Sequence, residues 1–212
     1  MAKAPIPSDD TSARPYHHGD LRRALTDAAR TIIERDGPQA LSLRAVAREA
    51  GVSPAAPYHH FKDKQELMLA VGKQGFEDLG KAMKLALDTE TDPTITRTNT
   101  IGLAYVMFAR RNPALYRVMY DCARDMDALP HEDEEKDMTG YNLVREALVA
   151  AGAAEPDDLI GIEVACASAW CFVHGVAEMS SFAQFDPLKE ALGGEENFYR
   201  ELLRRVGAFS GR

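Results

Sequence analysis

Between Ser42 and Lys64 the sequence gathers hydrogen-bonding and cationic side chains around one tight turn. Ser42 and Arg44 precede Gly51-Val52-Ser53, and Ala55, Ala56, Tyr58, His59, His60, Lys62 and Lys64 follow it. Hydroxyls, guanidinium and ammonium groups at that density suit phosphate oxygens, and small residues between them let a backbone approach a groove about 12 Å wide. Other chemistries lack their spacing. His17-His18 and His59-His60 are adjacent pairs, which point about 100° apart on a helix, and no HExxH or ExxH occurs, so no metal is expected. No GxSxG elbow, P-loop or GxGxxG is present, so neither catalysis nor a cofactor is implied. Cys122, Cys166 and Cys171 are odd in number, and their closest pair is CxxxxC; they read as reduced thiols, buried as small hydrophobes, in a cytoplasmic protein.

Charge places the phosphate-facing chemistry at one end. The 212 residues carry a net charge of −8, yet residues 1–64 hold ten Lys/Arg against eight Asp/Glu, leaving −10 for the remainder. Only the first third is suited to a polyanion. With 45% hydrophobic residues the chain can bury a core. No unbroken run nears the ~18 apolar residues of a membrane span, and no membrane partner is expected.

The elements that must position these groups are helical throughout. Residues 1–15, rich in Pro, Ser, Thr and Asp, read as a disordered arm. Asp20 caps a helix with Leu21, Leu25, Ala28, Ile32 and Ile33 on one face, ended by Asp36-Gly37-Pro38. Ser42 caps a short second helix, Leu43 to Ala50, which Gly51 stops. Ser53-Pro54 opens a third, to about His60. Asp63, with Glu66 three residues on, opens a long fourth helix over 63–88. Further helical patterns cover 94–111, 113–124, 133–151, 156–182 and 194–208. No segment alternates as a strand does. The fold class is therefore all-α with about nine helices: a helix-turn-helix unit over 16–62, then a second helical domain over 63–212 that begins with the long helix 63–88.

The run from Leu41 to Leu67, LSLRAVAREAGVSPAAPYHHFKDKQEL, resembles the N-terminal signature of the TetR family of transcriptional repressors. The segment YHHGDLR at Tyr16 to Arg22 and the phrase WCFVHGVA at Trp170 to Ala177 resemble a branch with a WHG-type C-terminal domain. The resemblance implies that 16–62 is a DNA-binding domain and 63–212 a regulatory and dimerisation domain, the protein being a homodimer on palindromic double-stranded operator DNA, released by a small-molecule effector. It further implies phosphate contacts from Ser42, Arg44, Tyr58, His60 and Lys64, with Ala55, Ala56 and His59 nearest the base edges. Ser53 and Lys62 stand beside them. One position departs from the family pattern: Pro57 stands where most members carry Leu or Ile. A proline inside a helix costs about 3 kcal/mol, but near the first turn its missing amide is not needed. A short or locally irregular recognition helix is expected.

Two further sets concern the C-terminal part. Gly161, Ala165, Ser168, Phe172, Gly175 and Met179 form a stripe of mostly small residues at helical spacing, open to internal packing or to a partner. The resemblance favours a dimer seam, joined by Phe198, Leu202 and Val206 of the last helix. Phe76, Leu79, Met83, Tyr105, Phe108, Tyr116, Met119, Tyr120, Tyr141, Trp170 and His174 supply the adaptable apolar and hydroxyl-bearing lining that a moderately apolar effector needs, and they equally suit a core. Gly72, Gly75 and Gly80 in the long helix permit either bending or close packing.

Overall fold

The computed structural model describes residues 18–126 and 139–206, and among them every regular element is helical. Helix α1 (His18–Asp36) buries Leu21, Leu25, Ala28, Ala29, Ile32 and Ile33 as its periodicity requires, and Gly37 ends it at φ 83°. Ser42 caps α2 (Leu43–Glu49), its hydroxyl accepting the Ala45 amide at 3.1 Å. After Ala50 the chain reverses through Gly51 at φ 68°, a left-handed conformation that favours glycine, and the Val52 amide bonds back to the Ala47 carbonyl. Leu43, Val46 and Ala47 pack under α1.

The third helix expected from Ser53 to His60 is instead one 3-10 turn, Ala56–His59. Pro57 explains the difference. It occupies the first turn, where no amide partner is needed, its buried ring fills the core below, and its carbonyl accepts the His60 and Phe61 amides.

Asp63 then caps α3 (Lys64–Thr89), accepting the Glu66 amide at 2.9 Å, while the Glu66 carboxylate reaches back to the Lys62 amide at 2.7 Å. That reciprocal pairing differs from the usual capping box by one residue on its return arm. At 26 residues α3 extends about 39 Å and is the spine of the molecule, packed by α4 (Arg97–Arg111), α5 (Pro113–Met126) and α6 (Thr139–Ala150). Its glycines sit at close crossings. A Cβ on Gly75 would stand 2.6 Å from Met119 Cγ, one on Gly80 would stand 3.2 Å from the Gly140 amide nitrogen, and one on Gly72 would touch Cys122. Helix α7 (Leu159–Met179) lies against α4 and α6. A short α8 (Asp186–Ala191), which no sequence pattern announced, leads into α9 (Glu195–Val206), which packs on α4.

One apolar core runs from α1 through Phe61 and α3 into α4, α5 and α9. A smaller one, Leu148, Ile162 and Cys166, joins α6 to α7. Helix α7 is long and apolar enough by length and composition to cross a membrane, although Glu163 and Glu178 break any unbroken apolar run, and little of it is buried among the described residues. Leu159, Ile160, Val164 and Trp170 are exposed along it.

Candidate nucleic-acid interface and regulatory core

The reading turn projects from the head formed by α1, α2 and the start of α3. Ser53, Ala55, Tyr58 and His59 are exposed on it, Tyr58 by 54%. Ala56 is half-buried against the head core, so of the two alanines only Ala55 is presented. Ser42, Arg44 and Lys62 are exposed around the turn, and His60 is half-buried. Lys64 is partly tethered, its Nζ donating to the Pro38 carbonyl at 2.9 Å. These ten residues come from one continuous stretch and converge because Gly51 and Asp63 fix the chain on either side of the turn.

A residue to which the sequence reading gave no role joins this group. Arg22, near the start of α1, donates from Nη1 to the His60 carbonyl at 2.7 Å and covers the Phe61 ring at 4.6 Å. Its guanidinium also lies 3.6 Å from the Glu66 carboxylate. No local pattern announces this, because the partners are about forty residues away.

The head rests on the body through a polar joint. Arg30 of α1 donates to Asp78 of α3 at 2.6 Å and to Glu34 at 2.7 Å, and reaches the Asn112 side chain between α4 and α5 at 3.4 Å. Partial burial opposes the charge on Arg30, but hydrogen bonds to the two carboxylates outweigh it and raise its pKa above the usual guanidinium value. Gln74 donates to Asp27 at 2.6 Å beside it.

Inside the body, five of the residues proposed for effector binding meet. The Tyr105 hydroxyl lies 2.9 Å from that of Tyr116 and 2.6 Å from that of Tyr120; His174 Nδ1 is 2.6 Å from the Tyr116 hydroxyl. Trp170 Nε1 donates to the Tyr120 hydroxyl at 3.1 Å. An indole nitrogen only donates, so one consistent chain of donors runs from Trp170 through Tyr120, Tyr105 and Tyr116 to an accepting His174 Nδ1. Burial is the main reason that all three phenols are held above the ordinary tyrosine pKa and keep their protons. Phe76 meets Tyr120 edge-on with ring centroids 5.6 Å apart. Leu79, Met83, Phe108 and Met119 are buried in the same core. Tyr141 stands apart: it donates to Glu163 at the α6–α7 surface and packs on the small second core. It takes no part in the hydrogen-bond network of Tyr105, Tyr116, Tyr120 and His174.

The seam residues also divide. Phe198 is 1% exposed inside the chain, so burial within the subunit removes it from any seam. Leu202 is half-buried on the main core, and Val206 closes α9. Gly161, Ala165 and Phe172 are half-buried and turned toward the body: Ala165 packs on the second core, Phe172 on the main one. A side chain at Gly161 would collide with its own cap, Asp158. The exposed face instead carries Ile160, Val164, Ala167 and Cys171, roughly a quarter-turn from the expected stripe, so Cys171 is exposed where burial was expected, while Cys122 and Cys166 are buried. Ser168, Gly175 and Met179 lie on its margin, and a Cβ at Gly175 would meet open space.

Comparison with known proteins follows the same division. Residues 25–71 match the family model described as bacterial regulatory proteins, tetR family. Residues 99–206 match the tetracyclin repressor-like C-terminal domain, a description that stands in place of the WHG-type name suggested by the Trp170 to Ala177 phrase. The HTH-type transcriptional regulator BetI of Brucella abortus is 31% identical over 108 residues, covering 50% of this chain and 54% of that protein. BetI of Rhizobium meliloti is 32% identical over 120 residues, covering 49% and 59%. The chain thus spans about half the length of the curated relatives it matches. Among solved structures, a Rhodococcus sp. RHA1 protein of unknown function is 29% identical with a TM-score of 0.61, covering 92% of this chain and 96% of that one. A TetR-family transcriptional regulator from Bordetella parapertussis 12822 shares the fold at 19% identity and a TM-score of 0.53, covering 92% and 95%. With a family model matched over half its length and its helix-turn-helix in the matching place, the chain belongs to the TetR family of bacterial regulatory proteins.

Proposed function

We propose that this protein is a repressor that binds a palindromic DNA operator as a homodimer and leaves it when a small molecule occupies the C-terminal helical domain. The observation that carries the reading is the reading turn itself. Ser53, Ala55, Tyr58 and His59 are exposed on a small, capped head that is ringed by Ser42, Arg44 and Lys62. Phosphate contacts from the ring set register, and the turn lies nearest the base edges. On this reading residues 16–62 form the DNA-binding unit and 63–212 the regulatory and dimerisation unit, no catalysis is involved, and the protein works in the cytoplasm.

Helix α7 favours the homodimer. Its apolar face is exposed along much of its length, and a two-fold pairing of that face would give two heads for two half-sites about one helical turn apart.

The path of release follows from α3. The helix begins beside the reading turn at Lys64, and its Phe76 touches Tyr120 of the tyrosine-histidine network. A ligand that displaces Tyr120 therefore pushes on α3, and the Arg30–Asp78 and Gln74–Asp27 contacts pass that movement to α1. The close crossings at Gly72, Gly75 and Gly80 favour movement of α3 with its neighbours over bending within it. By reciprocity, operator DNA weakens effector binding by the same factor.

A mobility shift with a duplex selected from a random pool, repeated as salt rises, tests the reading. Affinity should fall steeply and linearly on a log-log plot. A protein that selects no sequence and shifts no duplex would instead be a helical carrier or adaptor on the same fold.

A further inference from the structure

The reading turn is too short to hold itself in place. Four residues of 3-10 helix contribute few backbone hydrogen bonds, and such turns persist only where their surroundings fix them. Pro57 and Phe61 anchor the turn from below through their buried rings. Nothing in that apolar contact fixes its height or tilt.

Arg22 supplies the missing constraint. Its guanidinium closes three contacts that no other side chain could make together: the His60 carbonyl at 2.7 Å, the face of Phe61 at 4.6 Å and the Glu66 carboxylate at 3.6 Å. Glu66 in turn accepts the Lys62 amide at 2.7 Å. One guanidinium on α1, through its Nη1 and its planar face, therefore links the end of the reading turn, the ring beneath it and the first turn of α3. A lysine offers no planar face to lie over Phe61 while its nitrogen bonds the His60 carbonyl.

Resting on the DNA-binding reading above, we infer that Arg22 is a positioning residue for sequence recognition: it sets the reading turn against α1 and α3, so that Tyr58 and His59 meet the groove in one orientation. Its role is carried through His60, Phe61 and Glu66, without a contact to DNA of its own. Its side chain is 43% exposed, so a direct phosphate contact is the competing role that an experiment must separate.

Salt dependence separates the two. A residue that touches a phosphate releases counterions, so losing it lowers the salt slope by about one per subunit and weakens every duplex alike. A positioning residue leaves the slope unchanged and costs affinity only where sequence is read. The variants are Arg22→Met, which keeps cover over Phe61 and loses the donors, and Arg22→Lys, which keeps the charge. Each is titrated against a selected duplex and against one of random sequence, over a range of salt.

Both variants should lose about tenfold or more on the selected duplex, the scale of one charge-assisted hydrogen bond, with the random duplex and both slopes unchanged. A slope lowered by about one would overturn the inference in favour of direct phosphate contact. Equal retention on both duplexes would reduce Arg22 to a structural surface residue. Should Arg22→Met melt far below the wild type, Glu66→Gln decides, since it keeps an acceptor for the Lys62 amide and removes only the charge facing Arg22. It should lower the selected-to-random affinity ratio, and an unchanged ratio counts against the assignment. A wild-type protein with no salt-dependent binding at all sinks the DNA-binding reading together with this one.

Discussion

The head and the body solve the same packing problem with different resources. In the head, α1, the short α2 and the 3-10 turn close on one another. Ser42 and Asp63 cap their helices, Gly51 makes the turn, and the apolar faces of α1 and α2 meet with Leu25, Ile33 and Val46 fully buried. The body has more helices and more apolar residues, yet it leaves one face of α7 open while joining three hydroxyls and a half-buried imidazole in one hydrogen-bond network. A region that must present one rigid shape is finished within the chain. On the proposed function, the body would need apolar surface for a second copy and a hydrogen-bond network that a ligand can rearrange, and it carries both an open apolar face and such a network.

The comparison is most directly broken at the open face. Val164→Asp should convert dimers to monomers across the micromolar range in sedimentation velocity, because a carboxylate at the centre of a pairing apolar face would be left unpaired. Helical circular dichroism should stay unchanged, since Val164 is exposed within the chain. Gly175→Arg, at the margin where a side chain meets open space, should weaken pairing less. Dimers that tolerate Val164→Asp would show that the body, like the head, is closed without a partner.

Next in size is the closure of the head. Phe61 is 1% exposed, and Phe61→Ala should cost about 3–5 kcal/mol of stability in chemical denaturation. If the head is as tightly finished as its packing indicates, no relaxation should bring that cost below about 2 kcal/mol.

Tyr105→Phe sharpens the contrast from the other side. It removes the hydroxyl that Tyr116 and Tyr120 share, at a cost of about 1–3 kcal/mol if the Tyr120 hydroxyl, still accepting from Trp170, is left with no acceptor for its own proton. A rearrangeable network should lose less than that, and the fluorescence of Trp170, the one tryptophan in the chain, should shift as its acceptor Tyr120 moves. A full loss with unchanged emission would mark the network as rigid core.

The smallest effect concerns the α4–α9 contact. Burial pushes the Glu195 carboxyl upward, but the Tyr199 hydroxyl and the Arg110 guanidinium outweigh it and hold it below its ordinary 4.5. A depressed carboxylate adds stability above its unfolded pKa and loses it as pH falls through the folded one. Melting temperatures of wild type and Glu195→Gln should therefore converge as pH is lowered through and below about 4. The side chain is 37% exposed, so the difference at neutral pH should stay under about 1 kcal/mol. Parallel melting curves down to pH 3 would show that this pair contributes no linked stability.

The sequence by itself determined what local chemistry determines. Ser42, Gly51 and Asp63 act through neighbours within four residues, so the elements of the head and the stretch carrying its interface were legible in order. Pro57 likewise announced a shortened reading segment, because a missing amide is a local fact. Tertiary structure decided which face of each body helix turns inward. The periodicity of α7 fits several stripes, and contact with α4 and α6 chose one about a quarter-turn from the small-residue row, while Phe198 went wholly inside. It also chose the distant pairs: Arg22 with His60, Arg30 with Asp78, and the tyrosines of α4 and α5 with His174 of α7. A helix is specified by bonds four residues apart, whereas a partner forty or seventy residues away is found only when the packed core fixes where each helix lies.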